Sequence, residues 1–158
     1  MSRGGSSARR HSRQAALQIL FAIDLGGLTR SGPRPCDEEM FDRVAAHFDL
    51  PAGGHAFAKS LVCGTVRCQP ELDALLAAHA QNWRISRMAA VDRNVLRLAC
   101  YELTRTDTPA SVILDEAIEL ARRFGSDRSP GFVNGVLDAV ASAVRPVTEA
   151  PATEKAWR

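Results

Sequence analysis

The stretch Asp92-Arg-Asn-Val-Leu-Arg-Leu-Ala-Cys-Tyr-Glu-Leu-Thr-Arg105 sets Val95, Leu96, Ala99 and Leu103 on one stripe at helical spacing. Downstream, Thr108-Pro109 is a helix-start signal. The helix it opens buries Ile113, Ala117, Leu120 and Phe124 and stops at Gly125. Ser129-Pro130 repeats the signal ahead of a last stripe of Val133, Val136, Leu137, Val140 and Val144. Upstream, Phe57, Leu61 and Thr65 share a face over about His55–Gln69, and Pro70 either kinks that helix or starts one carrying Leu72, Leu75, Leu76 and His79. Asp37 to Phe48 suits a further helix with acids in its first turn. From Ser12 to Leu25 apolar residues cover nearly the whole circumference, leaving a polar stripe at Gln14 and Gln18, so this helix belongs at the centre of a core or under a cover. Loops fall at Gly26-Gly27, residues 31–35, Pro51 and Gly53-Gly54. No stretch alternates with period two between turn signals. The expectation is an all-α domain of about seven helices in two small packed bundles, with Gln81–Arg87 as the seam.

Of the 158 residues, 46% are hydrophobic and 24% charged, the composition of a folded domain rather than a disordered chain. No apolar run approaches the ~20 residues of a membrane span. The first ten residues lack an apolar signal core, so the expected compartment is the cytoplasm. The tail from Pro146 is rich in Pro, Ala, Thr and Glu and is expected to be disordered. Cys36, Cys63, Cys68 and Cys100 form no C-x-x-C pair and have no His at zinc spacing, which points to buried thiols and no metal. No cofactor is implied.

The motifs of several common enzyme classes are missing: G-x-x-x-x-G-K-[ST], G-x-G-x-x-G after a strand, G-x-S-x-G and H-E-x-x-H. Asp115, Glu116 and Glu119 with Arg122 and Arg123 read as ion pairs on a solvated helix face. Gly131-x-x-x-Gly135 reads as a site of close helix approach. No catalytic residue is expected.

Charge is unevenly spread. Arg3, Arg9, Arg10 and Arg13 fall within the first 23 residues, which hold no acid, while the remainder is slightly acidic. With residues 1–7 as a flexible basic lead and a helix from near Ser7, Arg9, Arg10 and Arg13 would occupy its first turns. Each cation there costs about 0.3–1 kcal/mol against the helix dipole, and free N–H groups beside guanidinium groups favour phosphate. Ser6, Ser7 and Ser12 add donors. Four phosphate contacts on single-stranded RNA would give a salt slope of roughly −2.8, about 50-fold weaker binding for a fourfold rise in salt. The loop Gly125-Ser-Asp-Arg-Ser-Pro130 is a second candidate, with Arg128 and Ser129 suited to phosphate. Phe132 is either core, which periodicity favours, or a stacking platform for a base.

The strings Ala8-Arg-Arg-His-Ser-Arg-Gln-Ala-Ala-Leu-Gln-Ile-Leu-Phe21, Val91-Asp-Arg-Asn-Val-Leu-Arg-Leu-Ala-Cys-Tyr-Glu-Leu103, Pro109-x-x-Val-Ile-Leu-Asp-Glu-Ala-Ile-Glu-Leu-Ala121 and Phe132-Val-Asn-Gly-Val-Leu-Asp138 resemble the bacterial antitermination factors of the NusB family, in order from Ala8 to Val144. The resemblance implies a helical domain over residues 8–145, in halves of about 8–82 and 83–145, without catalysis. It implies binding to boxA RNA of ribosomal RNA operons together with the ribosomal protein NusE, within an RNA polymerase antitermination complex. By position, Arg9, Arg10 and Arg13 match the arginine-rich RNA-binding motif, and Phe21 an aromatic near the shared RNA and partner surface. Asp92 matches an acid facing NusE. Phe132 matches an aromatic at the RNA-proximal helix start, which shifts its reading toward stacking. Phe21 stands where tyrosine is commoner, Arg128 where relatives can carry an acid, and Gly131 where some carry a base. Some relatives form homodimers and others do not. Two alternatives are the similar RNA-binding domain of ribosomal RNA cytosine methyltransferases, as a fragment without its catalytic domain, and a purely protein-binding helical module.

Overall fold

Apolar residues recurring at helical spacing give each segment one face to bury, and the computed structural model, which describes residues 3–26 and 38–146, satisfies them by packing helix on helix. There are seven α-helices over those residues: α1 Arg3–Leu25, α2 Glu38–Ala45, α3 His55–Arg67, α4 Gln69–His79, α5 Ala90–Arg105, α6 Ala110–Phe124 and α7 Ser129–Val144. A 3-10 turn at Ile85–Arg87 links α4 to α5.

α5 is the hub, packing against α1, α3, α4, α6 and α7. Every residue from Asn94 to Cys100 is buried, so the stripe expected on one face is surrounded by neighbours on the others. α6 and α7 close the carboxyl-terminal bundle on α5, and α1 packs on α2 and α3 in the amino-terminal one. One continuous core runs through both, from Ala16 and Leu17 through Leu96 to Val140, so the seam at Gln81–Arg87 is a chain connection and not a break in packing. At the α3–α5 crossing Gly64 makes room for Tyr101, whose ring would stand 2.1–2.5 Å from a Cβ placed there.

Several boundaries differ from expectation. α1 begins at Arg3 rather than near Ser7. Pro70 lies in the first turn of α4, resolving the choice between kink and start in favour of a start. Gly131 and Gly135 are exposed, with open space where a Cβ would sit, so no helix approaches them and the small-residue spacing serves no packing. Cys63 and Cys100 are buried and Cys68 is half-buried. Cys36 and the tail 147–158 lie outside the described residues.

α1 and α5 run antiparallel, which gives the molecule two distinct ends. Arg13 near the middle of α1 meets Glu102 near the end of α5, while Asp24 at the end of α1 meets Arg93 and Asn94 at the start of α5. The Arg145 guanidinium, just past α7, donates to the carbonyls of Leu103 (2.9 Å), Glu102 (3.1 Å) and Thr106 (2.7 Å). The end of α7 therefore sits with the end of α5, and its start, at Ser129–Phe132, lies at the opposite end.

Candidate nucleic-acid interface

At the amino-terminal end the three expected arginines divide. Arg13 is only 3% exposed. Its Nε and Nη2 form a bidentate pair with the Glu102 carboxylate at 2.8–3.2 Å. Arg13 is thus not a phosphate contact: it lies on the buried face with Ala16, Leu17 and Leu20, and its charge is neutralised inside the protein. Arg10 also meets a carboxylate, Glu116, at 2.9–3.2 Å, but half of its side chain stays exposed. Glu116 holds the Arg10 pKa above its ordinary value, by hydrogen bonding first and by charge second. Arg9 is exposed, with its guanidinium carbon 5.4 Å from the centre of the Phe57 ring, and Arg13 approaches that ring at 5.3 Å. Arg9, Phe57, Thr106, Pro109 and Val112 help line a groove of about 730 Å³.

The early start of α1 changes the chemistry of this tip. Arg9 and Arg10 stand more than a turn inside the helix, so the dipole penalty and the cradle of free backbone N–H groups do not apply to them. What this tip offers an anion is guanidinium groups rather than amides. Ser12 is no donor to a ligand either: it is buried, and its hydroxyl donates to the carbonyls of Ala8 (2.9 Å) and Gly54 (3.3 Å). Ser6 and Ser7 are exposed.

At the other end of α1, Asp24 gathers donors from α5. It accepts from Arg93 Nε at 3.0 Å and Nη2 at 2.6 Å and from Asn94 Nδ2 at 3.1 Å. Arg93 Nη1 also donates to the carbonyls of Ile85 (3.3 Å) and Met88 (3.2 Å), tying down the 3-10 turn. Phe21 is half-buried one turn earlier on α1. Arg10, Gln14 and Phe21 fall within about 40° of one another around the helix, and about 16 Å separates the first from the last along it. One face of α1 therefore connects the two ends. Asp92, in the first turn of α5, is half-buried, and its Oδ1 is buried without a hydrogen-bond partner.

The loop before α7 lies at this second end, and its residues also divide. Ser129 is 2% exposed. It sits in the first turn of α7, and its hydroxyl oxygen accepts from the Ser126 backbone N–H at 2.9 Å. Ser129 therefore locks the loop and is not available to a phosphate. Arg128 is exposed. Phe132 answers to both readings: it is half-buried against the core, and its ring makes an edge contact with Trp83, 5.2 Å between centroids. Trp83 is 58% exposed.

The sequence reading missed Glu102, Glu116, Asp24, Phe57 and Trp83. Glu102 was discoverable: it and Arg13 each interrupt a buried stripe, and two such opposite charges need each other. Nothing local marks Phe57 as the ring beneath Arg9. Among the described residues no three His, Cys, Asp or Glu side chains gather to hold a metal ion. Burial first, and the charge of Asp73 second, push the Cys100 thiol up to about 12, which keeps it protonated.

The fold and the site define a helical domain that presents exposed cations and half-exposed aromatic rings toward both ends of its first helix, the equipment of a nucleic-acid-binding module. Residues 10–142 match the model of the NusB family, and the chain belongs to that family. A transcription antitermination protein NusB from Solibacter usitatus is 47% identical over 139 residues, covering 85% of this chain and 88% of that one. A solved T. maritima NusB structure has a TM-score of 0.71 at 34% identity, covering 85% of this chain and 90% of that one. A crystal structure of the antitermination factors NusB and NusE in complex with double-stranded RNA has a TM-score of 0.69 at 29% identity, covering 87% of this chain and 98% of the matched one.

Proposed function

We propose that this chain is an RNA-binding transcription antitermination factor that binds boxA RNA together with NusE and works within an RNA polymerase complex. The observation that carries the reading is the exposed pair Arg9 and Arg10 on the same helix as Phe21, in a member of the NusB family. Phosphates meet Arg9 and Arg10 at one end and Arg128 at the other, and bases meet Phe21 and Phe132. Three phosphate contacts instead of four lower the salt slope to about −2.1, roughly 18-fold weaker binding for a fourfold rise in salt.

Asp92, a half-buried carboxylate in the first turn of α5, is proposed to face NusE. The chain acts as an adaptor without catalysis. The functional module is residues 8–145, in halves of about 8–82 and 83–145, and its place of action is the cytoplasm. No helix of the described residues is long and apolar enough to cross a membrane.

The test is an anisotropy titration of labelled boxA-type RNA with and without NusE. Binding that tightens with NusE is expected, and no RNA binding at low salt in either case would overturn the proposal. Asp92→Lys is expected to weaken NusE binding with helicity unchanged. An unaltered dissociation constant would remove Asp92 from the interface.

A further inference from the structure

We infer that Trp83 is a base-stacking residue, taking an unpaired RNA base on an indole held beside Phe132; this rests on the RNA-binding reading and extends the strand's path onto the α4–α5 connection. The position is prepared before any ligand arrives. The Trp83 backbone N–H donates to the Ala80 carbonyl at 3.0 Å, closing the turn after α4. Arg93, clamped by Asp24, holds the carbonyls of Ile85 and Met88 just beyond. Phe132 braces the indole through the 5.2 Å edge contact, yet 58% of Trp83 remains exposed. A large ring held in place and open to water is what stacking on a base requires.

The surroundings favour a nucleic acid over an apolar protein surface. Between Gln81 and Arg87 the chain carries Arg84 and Arg87, both exposed, and no acid. A hollow of about 580 Å³ beside the indole has Ala77 and Ala80 on its wall, with Asn82, Arg84 and Ser86 supplying polar groups for a base edge or a phosphate. Gln81, Asn82, Arg84 and Ser86 around the indole are polar and exposed, and Arg84 and Arg87 give the segment the positive charge that a phosphate backbone attracts.

Trp83 is one of two tryptophans, so Trp157→Phe makes it the sole indole fluorophore. Titrating that variant with a boxA-type single-stranded RNA is expected to quench its emission strongly, whereas inorganic polyphosphate, which has no bases, leaves the emission near its starting level. Trp83→Ala is expected to weaken RNA binding about 5- to 50-fold, with Trp83→Tyr recovering most of the loss. The salt slope stays unchanged, because no phosphate contact is removed. Circular dichroism checks that each variant retains its helicity. RNA that binds without quenching, or binds Trp83→Ala as tightly as wild type, overturns the inference. So does a Trp83→Ala variant that loses NusE binding alone. If labelled RNA binds no variant, wild type included, the RNA-binding reading itself fails and this inference falls with it.

Discussion

The middle and the carboxyl-terminal end of α1 solve one electrostatic problem in opposite ways. At the middle a cation from α1, Arg13, is buried against a carboxylate from α5, Glu102. At the end a carboxylate from α1, Asp24, is partly buried against a cation from α5, Arg93. Both pairs fix the same antiparallel register, and beside each stand residues that face solvent: Arg9 and the half-exposed Arg10, itself paired with Glu116, on one side, and Trp83, Arg84 and Arg87 on the other. Burial therefore separates arginines that hold the helices together from arginines free to meet a ligand, although residue type and spacing alone do not distinguish them.

The sharpest way to break this comparison is to remove Arg13. Arg13→Ala leaves Glu102 buried without its counter-charge, so an urea unfolding curve is expected to lose about 3–5 kcal/mol. Adding Glu102→Leu is expected to return most of that loss, since replacing both members of a buried pair with apolar groups is far less costly than removing one. A smaller effect is expected from Asp24→Ala, because Asp24 and its partner Arg93 are only partly buried. About 1.5–3 kcal/mol is the expected loss for hydrogen bonds to a charged group, with faster hydrogen exchange at residues 85–88 because the 3-10 turn loses its anchor. The smallest effect on folding belongs to Arg10→Ala, whose guanidinium is half exposed although its partner Glu116 is buried. Its urea midpoint is expected to fall less than in the other two variants, while RNA affinity falls and the salt slope flattens by about 0.7.

Much of this architecture was legible in the sequence, and the reason is periodicity. Val95, Leu96, Ala99 and Leu103 are buried on α5, as are Ile113, Ala117 and Leu120 on α6 and Val133, Val136, Leu137 and Val140 on α7. The site was legible only in part. Arg9, Arg10, Arg128 and Phe132 are accessible to differing degrees, but Arg13 and Ser129 turn inward, each for a local reason that competes with ligand binding. Arg13 shares the angular position of Leu17 and Leu20, so its helix face called for burial, and the charge obscured it. Ser129 looks like a helix cap from its place before Pro130, yet it sits inside the helix and bonds backward to Ser126. Glu116 was read as part of a solvated face, and only the long-range approach of α1 to α6, 106 residues apart in the chain, reveals its partner. Contacts of that kind leave no spacing signal.

Arg10, Gln14 and Phe21 share one face of α1, the longest helix among the described residues. The Arg13–Glu102 pair offsets its desolvation cost with bidentate bonding, whereas Nε and Nη2 of Arg93 converge on the single oxygen Oδ2 of Asp24.

The most direct test compares the salt dependence of RNA affinity for wild type, Arg9→Ala/Arg10→Ala and a folded Arg13→Met/Glu102→Leu variant. The account predicts that the double alanine variant loses affinity and that its slope becomes shallower by about 1.4, while the repacked variant keeps the wild-type slope. Equal slopes for wild type and the double alanine variant, or a shallower one in the repacked variant, would contradict it.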